Sequence, residues 1–217
     1  MHNIKNIFLK HRNLWKNKEF LNSVSTSFLF VATSLLLNHF TSIYATGRAG
    51  NAVEDIFLSN LPVFNVDLIV NEGTLAFVFF VAWMLFLEPK KIPFTLKSVA
   101  LLYIVRSIFV TMTHLGPFPE RSYLDPNDLL YSFNIGGDYF FSGHTSFPFL
   151  VALVFWENKR IRWIALGTSI IFGTSVILGH LHYSIDVFSA FFISYGVYHL
   201  AQKFFAKDFE IFHREEK

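Results

Sequence analysis

Long apolar stretches alternate with short polar ones along this chain. Runs over residues 20–44, 66–87, 95–112, 143–156, 163–178 and 183–205 consist mainly of Phe, Leu, Ile, Val and Ala. Most approach the roughly 20 residues needed to cross a bilayer as a helix. The pattern predicts an all-α protein, an integral membrane bundle of six helices, with no internal repeat and no second domain. The first run is too long for the ~7–15-residue core of a signal peptide, so it reads as a first span. Three segments result: a basic N-terminal segment at 1–19, a membrane domain at 20–206 and a charged tail at 207–217 that is expected to fray. A short surface helix is expected at 53–58. Asn38 and His39, within the first run, read as packing or interfacial residues.

Composition agrees with this picture. Of 217 residues, 53% are hydrophobic, 28 are Phe and only 16% are charged, below the ~25% of soluble domains. The absence of Cys excludes disulfides, thiol catalysis and thiolate metal sites. The net charge of +2 matters less than its distribution. Lys5, Lys10, Arg12, Lys16 and Lys18, then Lys90-Lys91, then Lys159-Arg160-Ile161-Arg162, then Lys203 and Lys207 alternate with acidic or neutral connections. By the positive-inside rule both termini are expected in the cytoplasm. The connections 45–66, 113–142 and 179–182 then fall on the exoplasmic (periplasmic or luminal) side.

Two polar islands open apolar runs at that exoplasmic end. One is Gly137–Thr145, GDYFFSGHT, with Ser142-Gly143-His144 at a helix mouth. The other is His182-Tyr183-Ser184-Ile185-Asp186. Within a helix, His182 and Asp186 would be one turn apart on one face. The carboxylate would fix the imidazole tautomer and raise the basicity of the other nitrogen, as a nucleophile or general base requires. His144 would protonate a leaving oxygen, and the helix start at Ser142 and Gly143 would offer N–H groups to a phosphate. Arg106, in the third run, costs ~2.5–3.5 kcal/mol to insert unless it meets a polar cavity or snorkels. Facing the histidines, its fork of donors suits phosphate oxygens.

Blander readings exist for the rest. Single histidines at an interface, His39, His114, His180 and His199, are usually amphipathic residues, although His180 also counts as an auxiliary candidate. Tyr139 is either a belt aromatic or a phosphate-binding residue, and Tyr183 reads as belt. Asp138 is a cap or auxiliary residue. Glu72 is an auxiliary candidate or a packing residue. Three histidines with a carboxylate could hold zinc or iron, but no His-Glu-x-x-His spacing occurs. The reading therefore carries no metal and no cofactor.

At these residues the chain resembles the sphingomyelin synthase branch of the type 2 phosphatidic acid phosphatase superfamily. GDYFFSGHT and GHLHYSID carry the resemblance. VRSIFVTMTHLGPFP, with Arg106, agrees, and Glu54-Asp55-Ile56-Phe57 with Glu72 agrees more weakly. The resemblance spans roughly residues 50–200. It implies a catalytic triad of His144, His182 and Asp186, in which His182 attacks phosphorus and His144 handles the leaving group. The wider superfamily has Lys-x6-Arg-Pro, Pro-Ser-Gly-His and Ser-Arg-x5-His-x3-Asp. Here Val99 replaces the Lys, Ser107 follows Arg106, Phe141 precedes Ser142 and Val176 replaces the Arg. The expected function is transfer of a phospho-headgroup from a phospholipid donor to a ceramide or diacylglycerol acceptor. The alternatives are a lipid phosphate phosphatase and a non-catalytic lipid-binding or transport bundle. No nucleic-acid partner is implied, and the oligomeric state is left open.

Overall fold

The computed structural model describes residues 11–122 and 139–213, and the elements among them are helical. They are α1 (Lys18–Gly47), α2 (Asp67–Leu87), a 3-10 turn (Pro89–Lys91), α3 (Ile92–Met112), α4 (Gly143–Val154), α5 (Lys159–Leu178), α6 (Ser184–Phe204) and α7 (Ala206–His213). Lys5, Lys10, Gly136, Gly137 and Asp138 lie outside the described residues.

Side chains set several of the helix starts. Asn17 Oδ1 accepts the N–H groups of Glu19 and Phe20 at 2.9 and 3.3 Å, which satisfies donors that the first turn leaves without acceptors. Asn158 caps α5 in the same way through Ile161 at 3.2 Å. The cap draws Lys159, Arg160 and Arg162 into the first turn of α5, so the expected basic connector is helix instead. Pro89 opens the 3-10 turn and Pro93 sits in the first turn of α3, where a missing N–H is harmless.

The bundle is apolar outside, and its interior combines large apolar side chains such as Phe94, Leu102 and Leu150 with small and polar ones. Phe28, Leu29, Phe40, Phe79, Trp83, Ile170 and Phe192 point outward, Phe192 with 80% of its surface exposed. Ser27, Ser34, Asn38, Ser42 and Ala45 form the buried stripe of α1, the helix that packs most extensively on α3. Small residues let two helix backbones approach closely, which is how helices associate in lipid. Ser27 and Ser34 donate to Val24 and Val31 carbonyls of their own helix, so the stripe holds no unsatisfied hydroxyl.

Four helical segments, Lys18–Gly47, Asp67–Leu87, Pro89–Met112 and Lys159–Leu178, are long and apolar enough to cross a membrane. α4 is apolar but has only 12 residues, about 18 Å at 1.5 Å per residue. α6 has 21 residues, with Ser184, Asp186, Ser189, Ser194, His199, Gln202 and Lys203 making it more polar. These two helices correspond to the runs at 143–156 and 183–205.

The two ends of the bundle differ. At one end, Lys91 lies 5.3 Å from the Phe155 ring centre and 5.2 Å from that of Phe212, which places the 3-10 turn, the end of α4 and α7 together. Residues 207–213 of the tail are docked there and do not fray. Asp208 binds Lys97 at 2.6 Å and also accepts from Ser23, while Phe209 and Phe212 pack on Phe94. At the other end, residues 48–66 and 113–122 lie over the α5–α6 junction. Gly50 donates to the His114 carbonyl and Gly116 to that of Asn51. A side chain on Gly116 would collide with the Gly50 and Asn51 backbone. Phe64 and Ser122 donate to Leu178 and Gly179. The helix expected at 53–58 is absent. Asp55 instead accepts the N–H groups of Phe57 and Leu58, closing a tight turn that competes with helix.

Candidate active site

Ser142 starts the site as the N-cap of α4. Its hydroxyl oxygen accepts the Thr145 N–H at 3.4 Å, and Ser142 is wholly buried. That oxygen therefore holds the turn rather than facing a ligand. Gly143 and His144 are the first two residues of the helix, and both are half-buried. The backbone N–H of Ser142 donates to the Asp186 carbonyl at 3.1 Å. The two polar islands are thus tied together through main chain, from 44 residues apart in sequence.

His182 and Asp186 meet differently from the expected helical face. α6 begins at Ser184, so His182 precedes it and Asp186 reaches back. Asp186 Oδ2 accepts the Tyr183 N–H at 3.0 Å and lies 3.4 Å from His182 Nδ1. The shorter contact of Nδ1 is to the Tyr139 carbonyl, at 2.9 Å. A carbonyl can only accept, so Nδ1 carries the proton and Nε2 is the nitrogen with a lone pair. His182 is 7% exposed and Asp186 not at all. Tyr139 packs edge-on against the His182 and Tyr183 rings, so its backbone and ring both orient His182. The His144 and His182 ring centres are 6.3 Å apart in an edge-to-face arrangement, which brings the two imidazoles side by side.

Arg106 reaches this turn from α3. It is 5% exposed. Nε donates to the Phe141 carbonyl and Nη1 to Asn38 Oδ1, both at 2.9 Å. A Cβ built on Gly143 would stand 3.5 Å from Nε, so the guanidinium runs directly beneath the start of α4. Two of its donors serve the protein and do not wait for phosphate. Asn38, read from sequence as a packing residue, is the partner that sequence reasoning missed.

The auxiliary candidates fall elsewhere. Glu72 is exposed on α2, and among the described residues nothing ties it to His144, His182 or Asp186. His180 is buried in the α5–α6 junction with a φ of 53°. Its Nδ1 bonds the Glu120 carbonyl at 2.9 Å and its ring packs on Phe118, so it anchors the overlying segment. His180 Nε2 and Asp186 Oδ1 are buried without a hydrogen-bond partner among the described residues. Among those residues no group of three or more His, Cys, Asp or Glu side chains is arranged to hold a metal ion.

One residue outside the two islands belongs to the site's frame. Asp55 Oδ2 accepts the Ser184 N–H at 2.7 Å. Burial of Asp55 opposes its ionisation, but the hydrogen bonds from Ser184, Phe57 and Leu58 hold its carboxyl below the usual carboxylate range.

Residues 136–203 match a family model described as PAP2 superfamily C-terminal. Neither the curated proteins nor the solved structures gave a match to the chain. The matched segment is under half of the chain, yet it holds Ser142, His144, His182 and Asp186. The match shows that this segment is similar to the C-terminal part of the PAP2 superfamily, and the long apolar helices agree with a membrane protein.

Proposed function

We propose that this protein transfers a phospho-headgroup between lipids, in the manner of the sphingomyelin synthase branch. The observation that carries the reading is the tautomer of His182: Nδ1–H is held by the Tyr139 carbonyl, which prepares Nε2 to attack. In the first step Nε2 forms a bond to phosphorus, and the bond from phosphorus to the diacylglycerol oxygen breaks. His144, as imidazolium, gives that oxygen its proton. In the second step neutral His144 takes the proton of an acceptor hydroxyl, ceramide or diacylglycerol. The resulting oxygen attacks phosphorus and releases His182.

Two buried valines favour a phosphodiester donor. Val99 and Val176 stand where the wider superfamily has Lys and Arg, and both are enclosed, Val176 completely. A phosphomonoester dianion would call for more positive charge than Arg106 and one imidazolium supply, whereas a diester carries one negative charge. Phe140, Phe141 and Phe147 pack in the apolar core around the α4 start, surroundings that favour a lipid alcohol over water. The basic residues gather at the opposite end of the bundle, which favours an exoplasmic site.

The test is incubation of the purified protein with labelled phosphatidylcholine or phosphatidylethanolamine and ceramide or diacylglycerol. Diacylglycerol should appear in step with a new phospholipid. Rapid release of inorganic phosphate from phosphatidic acid, with no transfer to any acceptor, would establish the phosphatase instead.

A further inference from the structure

The start of α6 carries the chemistry, but its geometry is set by a segment outside the 136–203 match. Ser184 is the first residue of α6, and its N–H has no acceptor within the helix. Asp55 Oδ2 supplies one across 129 positions of sequence, at 2.7 Å. Oδ1 of the same side chain accepts from Phe57 at 2.9 Å and Leu58 at 3.2 Å. One buried carboxylate therefore closes its own turn and caps the catalytic helix, where negative charge also meets the positive end of the helix dipole. The neighbouring residue is held from the same side. Tyr183 donates its hydroxyl proton to the Gly116 carbonyl at 2.8 Å and accepts from the Val53 N–H at 3.3 Å.

His182 lies immediately before these anchors. Rotation of residues 183 and 184 would swing its Nδ1 away from the Tyr139 carbonyl and Asp186 together. We propose that Asp55 is a positioning residue for the reaction, which fixes the orientation of His182 and Asp186 by clamping the Ser184 N–H. The proposal rests on the reading of His182 as the nucleophile.

The contact can be cut from either side. Asp55→Asn keeps the shape but replaces one acceptor oxygen with a donor. Ser184→Pro removes the N–H. Tyr183 already has φ −69° and ψ 156°, as a residue before proline does, and proline is favoured at a first helical position. Ser184→Ala controls for the hydroxyl. Turnover is measured with phosphatidylcholine and ceramide, phosphatidylethanolamine and ceramide, and phosphatidic acid, and thermal unfolding is measured in detergent for the full cycle. Asp55→Asn and Ser184→Pro should each lower kcat by at least ~10-fold with KM within about twofold, the signature of a lost orientation rather than lost binding. Ser184→Ala removes the hydroxyl that also bonds Asp55 but keeps the N–H, so it should lower kcat less than Ser184→Pro. The double variant should be no worse than either single one, in kcat and in unfolding midpoint. Unchanged kcat, or additive effects in both measures, would overturn the clamp. Wild-type protein without turnover on any of the three probes would instead overturn the functional reading, and the positioning role with it. The midpoints would still report separately whether the contact forms.

Discussion

Arg106→Lys is the most informative single change, because charge is kept while geometry is lost. The guanidinium serves the Phe141 carbonyl from Nε and Asn38 from Nη1, each at 2.9 Å. A lysine carries three protons, but on a single nitrogen that cannot occupy the separate positions of Nε and Nη1, so one bond is lost. A hydrogen bond to a charged group is worth about 1.5–3 kcal/mol. For a chain of this size each kcal/mol moves the unfolding midpoint by about 2–4 °C, which gives a fall of about 3–12 °C. Turnover should fall further, by ~10–100-fold, since Phe141 adjoins the Ser142-Gly143-His144 turn and a misplacement of about 1 Å is costly. The assay is thermal unfolding in detergent beside headgroup transfer. Asn38→Leu removes the same contact from α1 and should reproduce the loss of midpoint. A lysine variant with wild-type midpoint and turnover would refute the argument, and Arg106 would then be a snorkelling residue.

Other expectations follow from the site and the bundle. His182→Ala should abolish turnover in a protein that still inserts and keeps its unfolding midpoint within a few degrees, and retained activity would exclude the mechanism. Asp186→Asn should cost only about 10–100-fold, as the loss of an orienting partner does, because the Tyr139 carbonyl still holds Nδ1–H. A loss as large as that of His182→Ala would show the carbonyl to be insufficient. Single cysteines replacing Arg121 and Arg160 should differ in intact cells: an impermeant thiol reagent should label the first and spare the second, and reversed labelling would overturn the exoplasmic site. Asp55 has a folded pKa below its unfolded value. Its stabilisation is therefore complete above the unfolded value, near 3.9, and disappears as pH falls through the folded one. Asp55→Asn should flatten the pH dependence of unfolding in that acid range, and an unaltered slope would contradict the assignment.

How much of this was legible in the sequence depends on the range of the interaction. Apolar runs showed the helices to within a few residues, because burial in lipid or core selects long unbroken stretches. The exceptions were ends governed by caps: Asn158 extended α5 through its basic residues, and Asp55 replaced a surface helix with a turn. His182 and Asp186 lie 3.4 Å apart, but Asp186 reaches back from α6 instead of sharing a helical face with His182. The Tyr139 carbonyl was invisible, since every residue has one and only the fold selects which is used. Asn38 and Asp55 escaped for a related reason. Their partners lie 68 and 129 positions away, and a lone amide or carboxylate carries no mark of what it will meet.

The docking of α7 has a practical side. Lys97 is a cation on a membrane-crossing helix, with its side chain only 12% exposed, and the carboxylate that answers it comes from Asp208. Protease cleavage or genetic trimming after Phe205 would strip that partner away, along with the Phe209 and Phe212 rings over Phe94. Leaving a largely buried charge unanswered typically costs about 3–5 kcal/mol, a large part of what holds any single domain together. The damage would enter at Ser23 and Lys97, in the two helices that also carry Asn38 and Arg106. Purification handles and reporter fusions therefore belong beyond His213, where they leave this latch closed.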